Sequence, residues 1–190
     1  ASGLDAARDR LLAIAALAIH RPGGEALRIE LGDSFEVVLH QDEATLDKPN
    51  ILLHGIGLGA QRAGTEPRVA LAAFRRYVGD SPLVAFHAAF DETMIRRALR
   101  TASLPPLRNA WVDLAPVAEV ARPELRAKSL DEWLAAFGIE VAVRHQAAAD
   151  TLATAELLLR LWPDILAQRP AAGFRGLVEL ARQRRWLHAS

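Results

Sequence analysis

Apolar positions along this chain fall into short runs and helical stripes, in turn. Residues 10–19 form an apolar run of strand length, although its alanines leave a helix open. Arg21-Pro22-Gly23-Gly24 reads as a turn. Residues 26–31 and 35–40 alternate as half-buried strands do, with Gly32-Asp33 as a break between them. Residues 41–64 are loop-rich and glycine-bearing. A helix opens at Thr65 or Glu66, carries Pro67 in its first turn and reaches Tyr77 before Gly79-Asp80-Ser81-Pro82. Residues 83–86 are wholly apolar, as in a buried strand. A helix over 89–101 and a short strand over 109–114 follow. Ser129-Leu130-Asp131-Glu132 is a capping box opening a helix that ends at Gly138. Further helices are predicted from Gln146 to Trp162-Pro163 and over 174–186. Leu157, Leu158, Leu161 and Trp162 form a stripe that reads as core. Strands in a row, then crossover units, predict an α/β chain: a mixed sheet flanked by helices.

Composition narrows the chemistry. At 190 residues, 51% of them apolar, the chain can bury one core. Cysteine is absent, which excludes disulfides and thiolate metal sites. No apolar run reaches membrane-spanning length and no signal peptide is visible, so the expectation is a cytoplasmic protein without a membrane partner. The 23 basic and 23 acidic residues cancel, so phosphate recognition must be local. Lysine occurs only at 48 and 128. The arginines Arg175, Arg182, Arg184 and Arg185 make the last helix basic, which reads as a solvated face. Residues 168–173 are the one plausible hinge before that helix.

Two distant segments carry the candidate chemistry. Phe86-His87-Ala88-Ala89-Phe90-Asp91 places an acid in the first turn of a helix, at the carboxyl end of a buried strand. Helix stability alone accounts for an acid there, and so does ligand binding at a strand end. Arg144-His145-Gln146-Ala147-Ala148-Ala149-Asp150 places a second acid near a helix start, five residues after a histidine. On one helix those two would stand about 140° apart, so they converge only if His145 folds back from the preceding loop. Two oxygen ligands and a base are parts that a metal-assisted phosphodiester hydrolase needs. His54-Gly55-Ile56-Gly57 reads either as a flexible connection or as a loop whose backbone approaches a ligand. His20, His40 and His188 read as surface residues.

Together these segments resemble the DnaQ-like (DEDDh) 3′–5′ exonuclease family, which has a ribonuclease H-like fold. His54-Gly55-Ile56 is similar to its His-Gly-Ile loop. His87-Ala88-Ala89-Phe90-Asp91 resembles its His-Asn-x-x-Phe-Asp motif, with Ala88 in place of Asn. Ser129 through Leu134, and Phe137-Gly138-Ile139, resemble its Ser-Leu-Asp-x-Leu helix. Arg144-His145 through Asp150 resembles its third motif. The opening Ala1-Ser2-Gly3-Leu4-Asp5 looks like the residues just after the family's Asp-x-Glu motif.

The resemblance covers residues 1–163, and 164–190 read as a C-terminal helical tail. It implies hydrolysis at the 3′ end of single-stranded DNA, or of RNA, with release of nucleoside 5′-monophosphates. It implies two divalent ions, Mg²⁺ or Mn²⁺, with Asp91 and Asp150 as ligands and His145 as general base. Ser2, Gly3, Leu4 and His54 would line the terminal nucleotide, and a DNA polymerase subunit is a candidate partner. The Asp-x-Glu pair and the first central strand would precede Ala1, so the sequence is expected to be a piece of a longer reading frame. With two of four carboxylates, the chain as it stands is expected to be inactive or nearly so. The alternatives are an inactive relative that binds nucleic-acid ends or a partner, and an interaction domain with chance matches.

Overall fold

A computed structural model describes residues 1, 3, 5–24, 26–42, 56–141, 146–169 and 173–187, without the side chains of Leu58 and 184–187. The order is β1 (Ala13–His20), β2 (Arg28–Val38), α1 (Leu58–Arg62), α2 (Pro67–Val78), β3 (Leu83–Ala85) and α3 (Ala88–Thr101). Then come β4 (Trp111–Asp113), α4 (Leu114–Ala121), α5 (Leu130–Ala136), α6 (Ala147–Gln168) and α7 (Phe174–Leu187). The fold is mixed α/β, as the pattern predicts. Among the described residues no helix is long and apolar enough to cross a membrane.

The strands make two ladders. β1 and β2 pair antiparallel, and β3 and β4 pair parallel. No ladder joins the two pairs among the described residues. They nevertheless share both cores. Leu83 and Trp111 pack with Leu71, Phe74, Ile95 and Leu99 of α2 and α3, and so do Ile14 and Ala16 of β1. The next residues along, Val84 and Val112, pack with Leu114, Val117, Leu157 and Leu161 of α4 and α6, as does Ile19 of β1. Successive strand side chains point to opposite faces. Both pairs therefore lie in one layer between two helical layers.

Three sequence expectations need correction. The predicted break at Gly32-Asp33 does not end a strand, because β2 runs through it. The irregularity appears in the register instead: Leu17 faces Ser34 and Ile19 faces Ile29, so two steps of β1 match five of β2. The displaced backbone is fastened, since the Tyr77 hydroxyl donates to the Asp33 carbonyl at 2.7 Å and His20 Nε2 lies 2.9 Å from the Asp33 carboxylate. Second, α6 continues past Pro163 to Gln168. Ile165 in this last stretch is fully buried, and its packing outweighs the N–H that proline removes. Third, two helices were not anticipated, α1 inside the loop-rich 41–64 and α4. The latter is short and apolar nearly all round, with Ala115, Val117, Ala118, Val120 and Ala121 buried, so it shows no amphipathic period. The stripe Leu157, Leu158, Leu161 and Trp162 is core as read, and α7 adds Leu177 and Leu180 to the same cluster.

Candidate active site

The site is built at the carboxyl ends of β3 and β4. The chain leaves β3 at Ala85 and turns at His87, which sits in the left-handed region at φ 60°, ψ 48°. A side chain other than glycine held there costs about 1–2 kcal/mol. The turn is held by Asp113, the last residue of β4 and the register partner of Ala85. One oxygen of the Asp113 carboxylate accepts from the His87 N–H at 2.9 Å and from the Ala115 N–H at 3.0 Å. One side chain thus fixes the starts of both α3 and α4. The His87 ring lies 4.7 Å from that of Phe86, which packs into the core.

This turn sets Asp91 in the first turn of α3. Burial pushes its carboxyl from 3.8 up to about 6, against the opposing pull of its own backbone amide. The Asp113 carboxylate pushes in the same direction as burial, and His87 pulls back.

The Ala1 nitrogen lies near Asp91. Further along the opening segment, the Arg97 guanidinium donates to the Ala6 carbonyl at 2.8 Å, a tie to α3. Within the segment Asp9 accepts from the Asp5 N–H at 2.7 Å, and a Cβ at Gly3 would stand 2.5 Å from the same Asp9 oxygen. A side chain at residue 3 would require the Asp9 carboxylate to move.

Asp150 lies on a different helix, in the first turn of α6. Its N–H donates to the Gln146 carbonyl at 2.9 Å, and its own carbonyl accepts from Thr154 Oγ1 at 2.8 Å. The neighbouring Thr151 hydroxyl reaches the Ala15 carbonyl of β1 at 3.4 Å, docking this end of α6 on the other ladder. Ser2, Leu4, His54 and His145 lie outside the described residues. Gly3, Asp91 and Asp150 are the expected site residues that the structure places. Asp113 and the left-handed His87 were missed. The signal for Asp113 was present: an acid closing a short strand, two residues before a free helix amide.

Asp91 and Asp150 are hard oxygen donors, right in kind for a divalent cation. They are short in number: among the described residues no three His, Cys, Asp or Glu side chains gather where they could hold a metal ion.

Residues 1–158 match the family described as Exonuclease. The DNA polymerase III PolC-type protein of Bacillus cereus is 28% identical over 165 residues, which is 87% of this chain and 11% of that one. Among solved structures, the zinc-ion-bound form of an E. coli ExoI–ssDNA complex superposes with a TM-score of 0.66 at 20% identity, over 87% of this chain and 41% of that one. Exonuclease X in complex with 5′ overhanging duplex DNA gives 0.61 at 14% identity, over 90% of this chain and 99% of its own. At these identities the structures establish a ribonuclease H-like exonuclease fold.

Proposed function

Since the chain belongs to the exonuclease family, with a DnaQ-like 3′–5′ exonuclease fold, we propose that it hydrolyses phosphodiester bonds at the 3′ end of single-stranded DNA and releases nucleoside 5′-monophosphates. The observation that carries this reading is Asp91, a half-buried carboxylate where a parallel pair ends and open α/β sheets receive ligands. We assign Asp91 and Asp150 as two ligands of a larger set for magnesium or manganese, and His145 as the base that takes the proton from the attacking water. Divalent ions bound there would activate water at neutral pH and stabilise the leaving oxygen. Asp113 holds the turn that delivers Asp91. Ser2, Gly3, Leu4 and His54 border the terminal nucleotide. We take residues 1–163 as the catalytic portion, with the end of the helix Ala147–Gln168 and the helix Phe174–Leu187 packed into the same core. The single-stranded DNA in the ExoI complex supports the substrate. The PolC-type name of the sequence relatives supports a link to a DNA polymerase.

The test places a strand carrying Asp-x-Glu ahead of Ala1 and supplies a labelled oligonucleotide with magnesium or manganese. Stepwise shortening from the 3′ end is expected, stopped by chelator. The 190-residue form alone should be inactive or nearly so. In the extended protein, Asp150→Asn should abolish cleavage and metal binding. His145→Ala should slow cleavage by about 10²–10⁴-fold with substrate binding kept. Internal fragments, or digestion in excess chelator, would reject the proposal. End binding without hydrolysis would favour the inactive module.

A further inference from the structure

A concavity of about 290 Å³ lies away from the candidate active site. Gly79 and Asp80 line it ahead of β3, and Asn109 lines it ahead of β4. It therefore sits at the amino ends of the parallel pair, whereas Asp91 follows the carboxyl end. Asn109 braces it, its side-chain amide donating to the carbonyls of Gly79 at 2.9 Å and Ser81 at 2.7 Å. Two guanidinium groups, Arg75 and Arg108, line the same space, with Pro106 and Leu107 as an apolar wall.

Arg75 Nε is buried and has no hydrogen-bond partner. A buried donor left unpaired is unfavourable. Asp80 lines the space too, but among the described residues no ion pair joins it to either arginine. Two cationic groups against one acid leave a positive excess.

We propose that this concavity binds a single oxyanion group, carboxylate or phosphate, between Arg75 and Arg108. Planar guanidinium groups match such oxygens with paired, charge-assisted hydrogen bonds. The volume is at the low end for ligand sites, about 300–1,000 Å³. It has room for the anionic group with a small attachment. The site stands independently of the exonuclease reading.

The test titrates the 190-residue protein with inorganic phosphate and, separately, with acetate at constant ionic strength. Heteronuclear NMR follows the arginine Nε–H signals. Saturable shifts at Arg75 and Arg108 are expected, with a dissociation constant on the order of 1 mM. Arg108 is exposed, so Arg108→Ala should fold normally and weaken binding about tenfold. Saturation by phosphate alone, or by acetate alone, assigns the source of the oxyanion. Unsaturable shifts spread over all arginines would overturn the proposal, as would unchanged affinity in both Arg108→Ala and Arg75→Lys.

Discussion

Burial holds the Asp91 carboxyl at about 6 instead of 3.8. The folded protein therefore keeps a proton that the unfolded chain gives up between those two values. Stability is highest below the lower value, falls as pH rises through the window, and levels off above about 6. Two pKa units correspond to about 3 kcal/mol at most. Asp91→Asn removes the charged form and should stabilise the protein by about 1–3 kcal/mol near pH 7.5. Below about pH 4 the variant and the parent should agree. Urea unfolding at the two pH values checks this, and equal stability at both would show that Asp91 is well solvated. The motif around Asp91 was legible because residue types at fixed spacing are a sequence property. Its burial was not, because that depends on what Asp113 and the opening segment place beside it.

Among the elements, the end of β2 meets the residues just before α2 in a close backbone contact. Leu39 bridges Thr65, the His40 N–H donates to the Thr65 carbonyl and the Thr65 N–H donates to the Val38 carbonyl, each at 2.8 Å. Gly64 permits that approach: a Cβ there would stand 2.6 Å from both His40 N and Leu39 C, which are backbone atoms that cannot rotate away. Gly64→Ala should cost about 1–3 kcal/mol in denaturant unfolding. Gly57→Ala, where an added Cβ meets nothing within 4 Å, should change stability by less than about 0.5 kcal/mol. A neutral Gly64→Ala would mean that this bridge is not formed. Helix starts were easier to read than this contact. Ser129 caps α5 by accepting from the Glu132 N–H at 3.2 Å, and Glu132 reaches back to the Lys128 N–H at 2.7 Å. The capping box is a local device, whereas the Gly64 contact joins segments whose meeting no local pattern encodes.

At the scale of the molecule, the two ladders share both helical layers without a ladder between them among the described residues. Ala13–His20 is apolar up to its last residue, like a strand covered on both faces, yet Ile14 is its one buried residue. Leu83–Ala85 is likewise apolar and only half-buried. Strand amides with no ladder partner are weakly protected. Hydrogen exchange should therefore be faster at the alternate β1 amides that point away from β2 than at those bonded to it. Uniform protection along β1 would show that its outer edge is paired. Open strand edges also favour edge-to-edge association, so the measurement belongs at low protein concentration.

The sequence by itself determined the α/β class, most helix starts and the motifs that resemble an exonuclease. Those follow from side-chain period, caps and residue spacing, all of which act over a few positions. Tertiary structure alone decided the rest. It carried β2 through Gly32-Asp33 by fastening the displaced backbone to Tyr77, and α6 past Pro163 by burying Ile165. It also set Asp113 under His87, because the parallel register places the end of β4 beside the end of β3. Each of these outcomes rests on a contact between residues distant in the chain or on the burial of a side chain. Local preference is too weak to hold any of them without that packing.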